Sequence, residues 1–148
     1  MSGSLYGKHQ KQVDAKGRLS IPKSYRDALE TNDQPFAFLV MLDGILSIFT
    51  ESAFNAIDQQ IQNQSPLNRK ARELQRLWGS MVTPVAWDST GRITLTDLQK
   101  DYAGIDHDVV LIGARNRLEI WSRKKYEQDF RQEDQRFSEI ADELNSLS

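Results

Sequence analysis

The chain has 148 residues and a formal net charge of −2 at pH 7, with two histidines and no cysteine. This composition excludes a disulfide framework, thiolate zinc sites and a cysteine nucleophile, and we expect neither a metal site nor a cofactor. No apolar run approaches the ~20 residues that cross a bilayer, and the first residues lack the apolar segment of a secretory signal. We therefore expect a cytoplasmic protein without a membrane partner.

Charge is unevenly distributed along the chain. Residues 1–26 contain one acidic residue, Asp14, whereas residues 127–148 contain seven acidic and two basic residues. The first segment is suited to a polyanion, and the second repels one. The pattern is explained equally well if both segments are only solvated surfaces. The electrostatic potential depends on how the charges cluster in space and not on their order along the chain. The basic residues of the first segment are Lys8, Lys11, Lys16, Arg18, Lys23 and Arg26.

The first recognisable element is a turn that leads into a short strand. Residues 13–22, VDAKGRLSIP, contain Asp-x-x-Gly, which favours a tight turn because glycine tolerates positive φ and aspartate bonds its own downstream backbone. Leu19 and Ile21 alternate with polar residues and predict a half-buried strand. We expect another strand before the turn, and Pro22 predicts the start of a short helix over 23–30.

A hairpin and a helix follow. The apolar run 36–42 predicts a strand buried on both faces, and Asp43-Gly44 predicts a hairpin turn into a strand over 46–48. A helix after the hairpin is predicted by three apolar residues at helical spacing, Phe54, Ile57 and Ile61.

A second helix is predicted to begin with Ser65 as its N-cap and Pro66 in its first turn, and to end near 78–85 at Gly79-Ser80 and Pro84. We interpret its basic face as a solvated or subunit-pairing surface and not as a phosphate contact, because amphipathic helices normally carry such charges. The apolar face is Leu67, Ala71, Leu74 and Leu77, and the basic face is Arg69, Lys70, Arg72 and Arg76.

The chain then repeats itself. WDSTGRITLT at 87–96 matches residues 13–22, with Asp, Gly, Arg and the apolar pair at the same spacing, and LEIW at 118–121 matches LSIF at 46–49. Two matches in the same order indicate a duplicated unit. The second unit is predicted to contain strands over 93–95, 109–112 and 118–120 and a hairpin turn at 115–117.

We divide the chain into a first unit at 5–53, connecting helices at 54–79, a second unit at 80–122 and an acidic C-terminal segment at 123–148. No long linker separates the units, so we expect them to share an interface. The last segment is predicted to be one helix over 123–144 whose apolar stripe serves packing: Tyr126, Phe130, Phe137, Ile140, Ala141 and Leu144. An oligomer is predicted because the aromatic bulk is large for two small units: Phe36, Phe38, Trp78, Trp87 and Trp121.

Both units carry an Asp-x-x-x-Arg element, which is the sharpest candidate site. The guanidinium group of arginine is planar, and its paired N–H donors match phosphate oxygens or the O6/N7 edge of guanine. The preceding glycine lets the backbone approach a ligand. The alternative is that aspartate and arginine pair only to brace the turn. Neighbouring cations favour Arg18 over Arg92, because Thr90 and Asp97 stand where the first unit has Lys16 and Lys23.

The motifs resemble the MraZ family along nearly the whole chain. The resemblance rests on Gly7 and residues 13–22, and on DYAG at 101–104, DVVLIG at 108–113 and EIW at 119–121. It implies an α+β, mostly β chain: tandem AbrB-like, swapped-hairpin (double-psi-type) halves that form a small barrel flanked by helices. It also implies an octameric or larger ring that binds repeated boxes in double-stranded DNA upstream of its own division and cell-wall gene cluster.

We accordingly expect a nucleoid-associated transcriptional regulator, a repressor of that cluster, with no small-molecule substrate. Phosphate attraction is assigned to lysines and base discrimination to Arg18, while Arg26 is expected to brace the first loop from the short helix. The expected DNA contacts are Lys8, Lys11, Lys16, Gly17, Arg18, Lys23 and Arg92, and the turn-structuring residues are Asp14, Asp88 and Gly91.

Two other functions compete with DNA binding. Asp88-Ser-Thr-Gly91 superficially resembles the Asp-Thr-Gly of aspartic proteases, but its glycine comes one residue late. In the first unit, Lys16 would hold the neighbouring Asp14 carboxylate ionised, so two aspartates would not share a proton. We therefore expect no enzyme. An oligomeric protein-interaction scaffold, whose basic loops meet a protein partner, is the remaining alternative.

Overall fold

The computed structural model describes residues 4–30, 36–130 and 133–145. The strands are β1 (Lys8–Gln12), β2 (Arg18–Ser20), β3 (Phe36–Leu42), β4 (Ile45–Phe49), β5 (Val82–Ala86), β6 (Arg92–Thr94), β7 (Asp108–Gly113) and β8 (Arg117–Ser122). The helices are α1 (Lys23–Leu29), α2 (Glu51–Gln62), α3 (Arg69–Met81), α4 (Asp97–Ala103), α5 (Arg123–Asp129) and α6 (Glu133–Asn145).

The two units are interlocked through their strands. Six strands form an antiparallel sheet in the order β1-β7-β8-β4-β3-β5, and β2 pairs with β6 in a separate two-stranded ribbon. The first strand of each unit pairs with the third strand of the other unit, β1 with β7 and β5 with β3. Strands β4 and β8 join the units at the centre of the sheet. The expected interface between the units is therefore confirmed.

The fold class is α+β, but two details differ from the prediction. The described strands do not close into a small barrel, because β2 and β6 pair with each other and leave β1 and β5 as sheet edges. The chain is also not mostly β, because the described helices contain more residues than the described strands. Most of this helical content lies in α2, α3 and the C-terminal segment.

The main core is built jointly by the two units. Leu19 and Ile93 are fully buried partners on one face of the ribbon. They belong to the same apolar cluster as the alternating residues of the large sheet, so neither unit buries its apolar face alone. The sheet residues of this cluster include Leu39, Leu46, Ile48, Leu111, Leu118 and Ile120.

A second, smaller cluster holds the connecting helices against the sheet. The Phe54 ring of α2 stacks on Phe38 with centroids 4.3 Å apart and on Trp78 of α3 with centroids 5.7 Å apart. The indole Nε1 of Trp78 donates to Asp58 Oδ1 at 2.8 Å. This cluster fixes the α2–α3 hairpin on the sheet.

Most aromatic residues that predicted an oligomer are packed within the chain. Trp87 is buried and its Nε1 donates to Glu30 Oε1 at 3.2 Å. Trp121 is half-buried beside Phe130, with centroids 5.6 Å apart. Phe38 and Trp78 belong to the second cluster. The packing of these four aromatic residues therefore gives no reason to expect an oligomer. The side chain of the fifth, Phe36, lies outside the described atoms.

Several predicted elements are confirmed within a residue or two. The first-unit hairpin turns at Asp43-Gly44, where both residues have positive φ, and the second turns at Arg115, with φ 70°. The short helix begins directly after Pro22 as expected. In the second unit its counterpart α4 begins with a capping box of Thr96 and Gln99.

Helix ends differ more from the prediction. The N-cap of helix α3 is Asn68, whose side chain accepts from Lys70 N and Ala71 N, and not Ser65. It continues through Gly79-Ser80 to Met81, and Pro84 lies in the edge strand β5, where a missing N–H is tolerated. Ala71 is buried, while Leu74 and Leu77 are exposed, so the predicted apolar face is split. The predicted C-terminal helix is divided into α5 and α6.

Candidate nucleic-acid interface

The β2–β6 ribbon places both candidate arginines on one surface. Arg18 lies opposite Thr94, and Arg92 lies opposite Ser20. Because opposite residues and residues two apart share a face, these four side chains point away from the buried face of Leu19. The two arginine Cα atoms are diagonal neighbours, about 7–8 Å apart.

The first turn is held by the carboxylate of Asp14. Its Oδ1 accepts from Lys16 N at 2.9 Å and from Arg18 N at 2.8 Å, and its Oδ2 accepts from Arg18 Nε at 2.8 Å. The backbone closes the turn with a bond from Gly17 N to Asp14 O at 2.9 Å. The aspartate therefore shapes the turn and orients the guanidinium at the same time.

The second turn has the same geometry. Asp88 Oδ1 accepts from Thr90 N and Arg92 N, and Oδ2 accepts from Arg92 Nε at 3.0 Å. Thr90 adds a hydroxyl bond to Asp88 at 2.8 Å. Thus aspartate and arginine do pair, as the bracing alternative predicted. Each pair uses only Nε, and among the described residues neither arginine donates a hydrogen bond through its Nη groups.

These hydrogen bonds stabilise the ionised carboxylates. The backbone N–H of Arg18 is the main cause that lowers the pKa of Asp14 from its ordinary value of 3.8. The pKa of Asp88 is lowered further, chiefly by the backbone N–H of Arg92 and then by the Thr90 hydroxyl. Aspartate is ionised at neutral pH in any case, and the lowered pKa values keep both carboxylates ionised, and paired with the arginines, into more acidic solution.

Each turn glycine lies close to a residue of the other unit. Gly17 has φ 80°, and a Cβ there would lie 2.7 Å from the Leu95 carbonyl oxygen of the opposite unit. Gly91 has φ 81°, and a Cβ there would lie 2.7 Å from the guanidinium carbon of Arg26. The close approach that these glycines allow is therefore to the protein's own ribbon and helix.

Arg26 braces the second turn and not the first. It donates from Nε to Ile21 O at 3.0 Å and lies over Gly91, whereas Lys100 of α4 occupies the matching place near Gly17. Sequence reasoning missed Lys100, although the repeat contained the signal: Arg26 and Lys100 each follow a turn glycine by nine residues. Each turn thus has a cation from the other unit beside it.

The remaining predicted contacts do not form one cluster with the turns. Lys8 Nζ donates to Tyr126 OH at 3.0 Å, and Lys8 is the first residue of β1, so the length of this strand, roughly 13 Å, lies between it and the residues that lead into the turn. Lys11 is half-buried on β1, and Lys23 is paired with Asp27 at 3.0 Å. Lys16 is the predicted lysine that lies exposed within a turn.

Neither a metal cluster nor a membrane span is present in the described part of the chain. No three His, Asp or Glu side chains within it converge as metal ligands would. None of the described helices is both long and apolar enough to cross a membrane.

Comparison with known proteins gives a consistent result over both units. The family model described as "MraZ protein, putative antitoxin-like" matches residues 5–77 and 82–147. A relative from Thioalkalivibrio sulfidiphilus, named Transcriptional regulator MraZ, is 36% identical over 92% of this chain and 93% of its own. Relatives of the same name from Lachnoclostridium phytofermentans and Symbiobacterium thermophilum are 32% and 34% identical, covering 95% and 93% of this chain and 95% and 98% of their own. The chain belongs to the MraZ family.

Proposed function

We propose that this chain is a sequence-specific DNA-binding transcriptional regulator that reads repeated boxes through the β2–β6 ribbon. The observation that carries the proposal is the placement of Arg18 and Arg92 on one outward ribbon face, with each guanidinium oriented by an aspartate through Nε. The name shared by the relatives supports the same function.

The ribbon has the size and donors for groove recognition. A two-stranded ribbon fits the major groove, where an arginine fork matches guanine O6 and N7. The Nη donors of Arg18 and Arg92 are not used by the Asp14 and Asp88 pairs and would make that contact, while Lys16, exposed in the first turn, would supply attraction to phosphates. The exchange of β1 and β5 between units is compatible with the swapped-hairpin arrangement that the family resemblance implies.

One ribbon offers few contacts, so we propose that binding is multivalent. A ring of copies would engage several boxes at once, and linking sites in this way raises avidity by roughly 10² to 10⁴. Repeated boxes upstream of its own division and cell-wall gene cluster are the proposed target, with repression as the outcome. A reporter fused to that upstream region, measured with and without the protein, distinguishes repression from activation.

The test is a fluorescence-anisotropy titration against a duplex that carries the upstream repeats and against a scrambled duplex, at two salt concentrations. The matched control is Arg123→Ala, because Arg123 also pairs through Nε with an acidic residue four positions away, Glu127, but lies on α5. Wild type and the control should prefer the repeats, and Arg18→Ala should lose the preference. Salt-insensitive binding, or no preference in wild type, would favour the protein-interaction scaffold instead.

A further inference from the structure

The outward face of the β2–β6 ribbon carries two hydroxyl side chains besides the two arginines. Thr94 lies opposite Arg18 in the strand pairing, and Ser20 lies opposite Arg92. Both hydroxyl side chains are exposed, and within the described part of the chain neither makes a hydrogen bond. These two side chains are therefore available to a ligand that lies on the ribbon.

Thr94 stands close beside Arg18. The bond from Leu95 N to Gly17 O, at 2.8 Å, makes the neighbouring pair of residues a hydrogen-bonded one. Hydrogen-bonded and non-hydrogen-bonded pairs alternate along an antiparallel ribbon, so Thr94 and Arg18 form a non-hydrogen-bonded pair, the kind whose side chains stand closest. Their Cβ atoms are about 4.5–5.5 Å apart. Because successive base pairs are about 3.4 Å apart, Thr94 is placed one step along the DNA from the base pair that Arg18 reads.

The arginine does not hold the ribbon away from the floor of the groove. Arg18 Nε is bonded to Asp14 Oδ2 at 2.8 Å, and the arginine side chain is 33% exposed. The guanidinium therefore lies against its own turn and does not extend straight out from the strand. A short side chain on the same face can then approach the base edges as well.

We propose that Thr94 is a specificity-determining residue, whose methyl group contacts the C5 methyl of a thymine beside the base pair that Arg18 reads. Among the four bases only thymine carries this methyl in the major groove, and the methyl of threonine is one of the apolar groups that contact it. This inference rests on the proposed DNA binding through the ribbon and adds a second base to the site.

The equivalent position of the first unit lacks the methyl group. Ser20 stands there and offers only a hydroxyl group, so the preference for thymine belongs to the Arg18 side of the site alone. Threonine is favoured in strands for its branched side chain. A serine at the equivalent position shows that the ribbon forms without a branched residue, so strand preference does not account for Thr94.

The test is a set of fluorescence-anisotropy titrations in which deoxyuridine replaces thymine in one box of the repeat duplex, one position at a time. Deoxyuridine keeps the base pairing and lacks the C5 methyl. Loss of one buried methyl contact corresponds to about a fourfold change in affinity. We expect wild type to show a loss of this size at one thymine position.

Two substitutions at Thr94 separate the methyl group from the hydroxyl group. Thr94→Ser keeps only the hydroxyl, so it should bind the thymine and deoxyuridine duplexes equally at that position. Thr94→Val keeps a methyl and should retain the fourfold difference. The matched control is Thr83→Ser, which shortens a threonine of β5 in the large sheet and should behave as wild type. Circular dichroism checks that each variant is folded.

The outcomes separate this inference from the proposed function. A wild type without any sensitive thymine position would overturn the inference, as would a Thr94→Ser variant that keeps the difference or a Thr94→Val variant that loses it. Each of these results leaves the proposed function standing when wild type still prefers the repeats over the scrambled duplex. Absence of that preference would overturn the proposed function and this inference with it.

Discussion

Arg18 and Arg92 lie on the same outward face of the β2–β6 ribbon, one diagonal step apart in the strand pairing. Their Nε atoms lie 2.8 and 3.0 Å from the carboxylates of Asp14 and Asp88. Chain order suggests that the second element is poorer in cations, but the fold brings Arg26 beside Gly91. In space, each turn therefore has an Asp–Arg pair and one cation from the other unit, and the turns differ in that Thr90 stands where the first has Lys16.

The arrangement that the two turns share predicts that Arg92→Ala weakens repeat recognition about as much as Arg18→Ala does. A good base contact contributes roughly 1–3 kcal/mol of discrimination, so either variant should lose about 5- to 150-fold of its preference for the repeats. Anisotropy titrations with repeat and scrambled duplexes measure the ratio. If Arg92→Ala behaved like wild type while Arg18→Ala lost its preference, the second turn would have no part in recognition.

Lys16 and Arg18 are expected to act differently although they share a turn. Lys16→Ala should lower affinity for all duplexes about equally and reduce the slope of log affinity against log salt by about 0.9 for each phosphate that the protein no longer neutralises. Arg18→Ala should also blur sequence preference. Lys23→Ala is the control. Because the Nζ of Lys23 already pairs with Asp27, this substitution should change the slope less. Equal reductions in affinity on both duplexes for Lys16→Ala and Arg18→Ala would contradict this division.

Local chemistry explains which parts of the fold can be predicted. The turns at Asp43-Gly44 and at the two Asp-x-x-Gly sequences require positive φ at particular residues, and glycine at those positions is a direct sequence signal. The start of α3 is ambiguous in the sequence because Ser65 and Asn68 are both good capping residues. Ser65 accepts from Leu67 N in a turn before the helix, while Asn68 caps the helix itself.

Placement in space is harder to predict than local structure. Proximity along the chain suggests that Arg26 braces the turn of its own unit, but the pairing of β2 with β6 brings it to the other turn. Proximity likewise suggests that Lys8 joins the turn cations, but β1 runs away from the turn toward Tyr126. Residues within one tight turn, such as Asp14 and Arg18, are grouped correctly because a turn fixes their separation.

The packing of Phe54 predicts a large loss of stability on truncation. Its ring is stacked between Phe38 and Trp78, so Phe54→Ala should lower the free energy of unfolding by about 3–5 kcal/mol. Urea unfolding followed by circular dichroism measures the change. The control is Phe137→Ala, since that ring is largely exposed in one chain. A small effect of Phe54→Ala would mean that the second cluster does not hold α2 to the sheet.

The two turn glycines should respond unequally to alanine. Both have positive φ, so Gly17→Ala and Gly91→Ala should each cost more than about 1 kcal/mol of stability. Gly17→Ala should cost more, because its Cβ would meet the backbone oxygen of Leu95, whereas the Arg26 side chain over Gly91 can rotate away. In an Arg26→Ala background the cost at Gly91 should fall and that at Gly17 should not. Urea unfolding of these variants checks the order.

Asp88 makes the stability of the fold sensitive to acid. Its pKa is lower in the folded chain than its ordinary value of 3.8, so the ionised carboxylate stabilises the folded state above that value, and this contribution is lost as the pH falls through the folded pKa. Asp88→Asn should therefore be less stable than wild type at neutral pH, and the difference should shrink below about pH 4. Urea unfolding of both proteins between pH 7 and about pH 2.5 measures it. Asp14→Asn should shift in the same direction, and a difference independent of pH would mean that the ionised carboxylate does not stabilise the turn.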